Sequence, residues 1–493
     1  MTVENPTSGL ARRIVKNSVA LIAARTTISF GTFLLVISVS RYLDVEGLGI
    51  YSTILAFYAT LELFASLGFA NYIPREVGRA PERSSEYLSH AVITAIGSAL
   101  FLLTSAYFIA PHLGYDNTTV VGIHIAILAL IPAALISISQ SFLVAYEKAE
   151  YITFLNFAEV AARILSSIYL LHQGFGVLGV IAAFCFFRLV SFCCYAVIIL
   201  RKISRPRWVF DYGFLKRFIK DLAVFSALIV VGGLFSTTET LALSVLKDET
   251  VVGIYNAGYR LMAVWTIIPT SVMNAVLPNL SRSYRDSRPQ FDTLVEKSLK
   301  YLLLIVFPLI IGTTVVADEI VIALYGEPFG EAAIVLRLLI WSLLPTFWDD
   351  ALWRILLASD HEAFSLRVTA INLLIMVMLC LVLIPPLGYV GASLVVILVA
   401  ILEAGSYAVY VHRHVTKIRY RKIIVKPLLS SLMMGLLAAT LKSHLPLVAV
   451  IAISALVYFV ATLSLGAVSS QELISIWRQI RPKASCEPGT LKQ

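Results

Sequence analysis

Apolar runs of about 20 residues recur along this chain from end to end, each bounded by short polar stretches and each long enough to cross a bilayer as a helix. The pattern predicts about fourteen such spans, at about 18–40, 49–70, 88–109, 118–143, 151–171, 175–200, 218–245, 252–277, 298–316, 332–357, 363–384, 388–411, 426–444 and 446–467. The first run is too long for a signal peptide, and no small-residue cleavage site follows it. A transmembrane barrel is excluded, because its strands alternate in far shorter segments. The expected class is an all-α polytopic membrane protein.

Orientation follows from the polar stretches, since lysine and arginine collect on the cytoplasmic side. With the amino terminus inside, the outer loops carry only Arg41, Lys247 and Lys442 of the 39 lysines and arginines. The loops near 201–220 and 412–426, with "RKISRPRW" and "HRHVTKIRYRK", are then inside, as are both termini. Composition agrees: 59% of residues are hydrophobic and 14% charged, with a mean hydropathy of +0.85. The net charge of +9 therefore reads as topology plus attraction to anionic lipid, not as nucleic-acid binding. Of the five cysteines, Cys185, Cys193, Cys194 and Cys380 fall inside spans and Cys486 in the tail, with no spacing of disulfide or metal type.

The tripeptide "GIY" occurs twice, at Gly49–Tyr51 and Gly253–Tyr255. With the two copies aligned, Asp44 meets Asp248, Ala59 meets Ala263 and Pro74 meets Pro278. In a nearly equal register Gly176 and Gly179 meet Gly388 and Gly391, and "YAV" at Tyr195–Val197 meets "YAV" at Tyr407–Val409. Two stretches with almost one offset indicate a duplicated six-helix unit inserted twice in the same direction. Such repeats are related by an axis along the membrane normal, with a substrate site between them. The expected plan is a lobe over 1–210, a second lobe over 211–420, two further helices over 421–470 and a cytoplasmic tail over 471–493. The glycines suit tight turns that need a permissive backbone.

A charge at the centre of a span is costly and should face protein or water. The spans hold Arg25, Arg163, Arg188 and Arg260, with Arg337, Arg354 and Arg367 nearer the ends, and the acids Glu62, Glu159, Glu239, Asp349, Asp350 and Glu403. Glu159 with Arg163, and Asp350 with Arg354, are spaced to neutralise each other on one helix face. Depth in the bilayer allows two further pairs, Arg25 with Glu62 and Glu239 with Arg260. The competing reading is a hydrated cavity for an anionic ligand, since guanidinium suits phosphate oxygens. Both readings stay open, and the candidate cavity residues are Arg25, Arg188, Arg260, Glu62, Glu239, Asp349, Asp350 and Glu403. No P-loop is present, no catalytic constellation stands out, and the sequence implies neither a cofactor nor a metal. "HRH" at His412–His414 lacks metal-site company. "WDDALWR" at Trp348–Arg354 could serve a sugar or a proton, but reads first as packing.

The stretches "RYLDVEGLGIYSTILAF" with "LGFANYIPREV", "VVGIYNAGYRL" with "AVLPNLSR", "IALYGEPFGEAAIVLRLLIW" and "LGYVGASLVVILVA" resemble the polysaccharide flippases, the Wzx-like branch of the multidrug/oligosaccharidyl-lipid/polysaccharide (MOP) exporter superfamily. The resemblance covers about residues 12–470. It implies alternating-access transport of an undecaprenyl-diphosphate-linked oligosaccharide across a bacterial inner membrane, for O-antigen, capsule or exopolysaccharide. Membrane lipids and a glycan polymerase with its chain-length machinery would be partners. Arg25 in "AARTTISF" is similar to a first-helix arginine that lines a cationic cavity in lipid II flippases, and Arg260 in "AGYRLM" to one on their eighth helix. A multidrug exporter of the same superfamily is the alternative, favoured by a cavity dominated by acids. A membrane glycan polymerase or ligase is a further one, disfavoured by the short outer loops.

Overall fold

The computed structural model describes residues 28, 30–203 and 211–467. Arg25 and the tail beyond 467 lie outside the described residues. Every regular element among the described residues is helical. A short apolar helix, α1 (Phe30–Tyr42), leads into α2 (Val45–Ala65), α3 (Phe69–Arg79), α4 (Ser84–Ile109), α5 (Asn117–Ile127), α6 (Leu130–Ala145), α7 (Ala149–His172) and α8 (Gly176–Lys202). Next come α9 (Tyr212–Leu234), α10 (Thr238–Leu246), α11 (Glu249–Ala263), α12 (Ile267–Asp286), α13 (Arg288–Val315), α14 (Ala317–Tyr325), α15 (Ala332–Leu339) and α16 (Leu343–Ala358). The chain closes with α17 (Glu362–His414), α18 (Tyr420–Leu441) and α19 (Leu447–Ser464).

Among the described residues, 11 helical stretches are long and apolar enough to cross a membrane, or 12 if the bent pair α9–α10 is one span. The sequence pattern counts more, for two physical reasons. Only Phe30–Tyr42 of the first apolar run is described, and that is short for a span. The runs expected at 363–384 and 388–411 are joined within α17, where Gly388 alone leaves helical geometry at φ 54°, ψ −129°. The two arms of α17 then fold back on each other. The Phe364 ring stacks on Tyr410 at 3.8 Å, and the Tyr407 hydroxyl donates to the Ser365 carbonyl at 3.3 Å. A positive φ is cheap only for glycine, and Gly176 at the start of α8 has φ 60°.

The repeated motifs share more than letters. Asp44 and Asp248 are both helix N-caps: their Oδ1 atoms accept from the Gly47 amide at 2.8 Å and the Val251 amide at 3.0 Å, satisfying donors that a helix start leaves free. Tyr195 and Tyr407 are both fully buried and hydrogen-bonded through their hydroxyls. Pro74 and Pro278 both lie inside helices, α3 and α12.

Packing follows the apolar faces. Within the first set, α3 and α4 pack on α6, and α7 on α8; within the second, α16 packs on α17, and α12 and α13 pack on α16. The two sets meet above all where α2 crosses α11. At that crossing a Cβ on Gly49 would strike the Glu249 carbonyl, and one on Gly253 the Val45 carbonyl. Two flanking contacts hold the same end: Arg41 Nε donates to the Leu324 carbonyl at 2.7 Å, and the Tyr115 and Ser244 hydroxyls are 2.9 Å apart.

Candidate functional site: a cavity divided by charge

Away from the glycine crossing, α2 and α11 both line a cavity of about 470 Å³. The walls use equivalent positions of the two motif copies: Ser52, Leu55, Ala56 and Ala59 on α2, and Asn256, Tyr259, Arg260 and Ala263 on α11. Helical spacing explains the match, since these residues recur on one face of each helix. Helices α7 and α8 add Glu159, Arg163 and Arg188.

Three helices are tied together on one wall. Arg188 on α8 makes an ion pair with Glu62 on α2 at 2.6 Å and with Glu159 on α7 at 3.2 Å. This corrects one expectation. Glu159 does not neutralise Arg163 one turn away on its own helix; it turns to α8, because Arg188 reaches both acids at once. Glu62 also pairs with Arg188; the expected Arg25–Glu62 pair falls outside the described residues.

Arg163 is therefore left over. Its guanidinium lies 5.5 Å above the centre of the Phe184 ring, a cation–π contact. Among the described residues it has no ion pair, and its Nε is buried without a hydrogen-bond partner. The same holds for Arg260 on α11. The expected Glu239–Arg260 pair is not formed, because the two face different spaces: Arg260 lines this cavity and Glu239 an adjoining one.

The adjoining cavity, about 230 Å³, shares Ser236 and Tyr259 with the first. Among the described residues its charged lining is Glu239 on α10, Asp349 on α16 and Glu403 on α17, with no arginine or lysine. Glu403 accepts from the Thr369 hydroxyl at 2.8 Å and the Tyr407 hydroxyl at 3.3 Å. Glu239 is buried, and one Asp349 oxygen is buried without a hydrogen-bond partner among the described residues. Asp350 stands apart: it pairs with Arg354 at 2.6 Å, as the spacing on one helix face suggested, and accepts from Thr270 at 3.3 Å. Arg354 also donates to Asn274 at 3.2 Å. Of the eight candidate residues, the structure thus brings Arg188, Arg260 and Glu62 into one cavity and Glu239, Asp349 and Glu403 into the next. Asp350 lines neither, and Arg25 is not described.

Sequence reasoning set Arg163 aside as a self-neutralised residue, and it missed Asn156, Asn256 and Tyr259 on the walls. Spacing from Ser52 and Leu55 in the repeat register would have pointed to Asn256 and Tyr259. Nothing in the sequence could have shown that Glu159 prefers Arg188. Among the described residues no three His, Cys, Asp or Glu side chains are placed to hold a metal ion.

Comparison with known proteins places this geometry in context. The chain is 25% identical over 224 residues to a probable low-salt glycan biosynthesis flippase, Agl15, of Haloferax volcanii. That match covers 45% of this chain and 48% of the relative, so it spans about half that protein's length. It is 22% identical over 416 residues to the capsular polysaccharide biosynthesis protein CapF of Staphylococcus aureus, covering 81% of this chain and all of CapF. Among solved structures, the lipid II flippase MurJ in an inward closed conformation superposes with a TM-score of 0.75 at 16% identity, covering 95% of this chain and all of that one. At that identity the likeness is one of fold. The model of one family, described as polysaccharide biosynthesis protein, matches residues 38–334, well over half of the sequence. The chain belongs to the polysaccharide biosynthesis protein family.

Proposed function

We propose that this protein is a flippase for a prenyl-diphosphate-linked oligosaccharide, working by alternating access between two lobes. The observation that carries the reading is the pair of arginines without acids. A buried cation is expensive unless something neutralises it. Arg163 and Arg260 line one cavity and have no ion pair among the described residues, so a ligand that brings negative oxygens would supply what the protein withholds. Guanidinium groups bind phosphate in a bidentate way, and a diphosphate offers each arginine its own set of oxygens. Arg25, on the first apolar run, is a third candidate for the same task.

The family and the names of Agl15 and CapF support glycan biosynthesis as the setting, and the name of Agl15 supports translocation as the step. In the finer reading the prenyl carrier is undecaprenyl, the membrane is a bacterial inner membrane, and both termini are cytoplasmic. Residues 1–210 and 211–420 form the lobes, with fourteen spans in all, and the last two helices give the prenyl tail its place. Supporting that last point, Trp265, Ile305, Pro308, Met434, Val450 and Tyr458 help line an apolar cavity of about 470 Å³ between α12–α13 and α18–α19. Conserved chemistry is not needed for such a step, since no bond is broken.

A second reading has its own observation. Glu239, Asp349 and Glu403 line a cavity without a basic residue among the described residues, which would suit a cationic cargo, as in an ion-coupled multidrug exporter. The deciding experiment is translocation of a fluorescent undecaprenyl-diphosphate glycan in proteoliposomes. The flippase reading expects transport by the wild type and its loss in Arg260→Ala, with no transport of lipophilic cations. Transport of a cationic dye and indifference to the glycolipid would reverse the assignment.

A further inference from the structure

Two tyrosines end the repeated tripeptide, and the fold puts them in different places. Tyr51 and Tyr255 follow Gly49 and Gly253 by two residues, and both are buried, at 3% and 1% exposure. The Tyr255 ring stacks on Tyr259 at 5.8 Å, and its hydroxyl is sealed in the packing without a partner among the described residues. Tyr255 lines neither of the two charge-bearing cavities. Tyr51 does line one, the cavity that holds Arg163 and Arg260. Its hydroxyl makes no hydrogen bond among the described residues, and it stands within electrostatic reach of both guanidiniums.

A tyrosine hydroxyl has one hydrogen to donate and lone pairs with which to accept. Two neighbouring cations attract the oxygen and turn the hydrogen away from themselves. Tyr51 therefore meets the cavity as a donor. A buried donor without an acceptor is unfavourable, and no carboxylate of the wall is free to serve it. Glu62 and Glu159 are both held by Arg188. The first apolar run up to Ile28, which also borders this cavity, carries no aspartate or glutamate.

We propose that the Tyr51 hydroxyl donates to the diphosphate of the transported lipid, alongside Arg163 and Arg260. The inference rests on the flippase reading and adds a neutral donor to its two charged ones. It also bears on selectivity, since three donors without a free carboxylate suit a group that only accepts. Of the two tripeptide copies, one thus supplies a ligand contact and the other supplies packing.

Calorimetric binding of farnesyl-diphospho-N-acetylglucosamine to the purified full chain tests this, with the melting temperature as the control for folding. Tyr51→Phe keeps the ring and removes one hydroxyl. Affinity should fall about tenfold, the loss expected for one hydrogen bond to a charged group, while the melting temperature stays at the wild-type value. Tyr255→Phe, at the equivalent position, should bind like wild type. Wild-type affinity in Tyr51→Phe, or an equal loss in Tyr255→Phe, would overturn the inference and leave the flippase reading standing. Failure of the wild type itself to bind the probe would overturn that reading, and this inference with it.

Discussion

Gly49 and Gly253 face each other across the α2–α11 crossing so closely that a Cβ on either would lie 3.1 Å from the other's amide nitrogen. The two copies of the tripeptide are thus one contact, seen from its two sides. Backbone meets backbone there, and neither neighbour can step aside as a side chain could. Leucine at either position should cost about 1–3 kcal/mol through overpacking. The yield of monodisperse protein after detergent extraction and its melting temperature should both fall. Gly78→Ala, at a position with open space around it, is the control, and equal losses there would remove the crossing from the explanation.

Arg163→Ala and Arg260→Ala should each lower transport about tenfold or more, the loss expected for a hydrogen-bonded charge. Neither change strands a carboxylate among the described residues, so membrane levels should stay near normal. Lysine should rescue in part, since it keeps the charge and loses the fork. Quantitative blotting beside the proteoliposome assay separates the outcomes. A collapse of protein level would mean that these arginines serve folding.

Arg188 should behave in the opposite way. Its removal leaves buried Glu159 and half-buried Glu62 without a base among the described residues, and breaking a buried pair costs about 3–5 kcal/mol. Arg188→Ala should therefore be scarce in the membrane. Adding Glu62→Gln and Glu159→Gln should restore much of the level, because no charge is then left unpaired. If the triple variant is as scarce as the single one, the network is not what holds these helices.

Topology has a direct check. In a background without the native cysteines, Thr118→Cys at the start of α5 should react with an impermeant thiol reagent from outside intact cells. Ser287→Cys, between α12 and α13, should react only after lysis. The reverse pattern would invert the orientation drawn from the lysines and arginines.

Much of this architecture was legible because apolar length is a strong signal: a bilayer demands about 20 residues per helix. The repeat was legible through Asp44, Gly49 and their counterparts, since caps and close approaches restrict residue type. The charge network was not. Spacing on one helix made Glu159 and Arg163 look like partners, and it found Asp350 and Arg354 correctly, yet only packing brings Arg188 between α2 and α7. Depth in the membrane put Glu239 level with Arg260 but gave no information about which way each helix face turns.

The Arg188 bridge has one more consequence. Because it fixes α2, α7 and α8 to one another, this wall of the cavity is ordered before any ligand arrives. A ligand that docks on it pays little to immobilise it, which is the advantage of preorganisation. The ordering entropy of closure then falls mainly on the α11 side, where Arg260 has no such brace among the described residues.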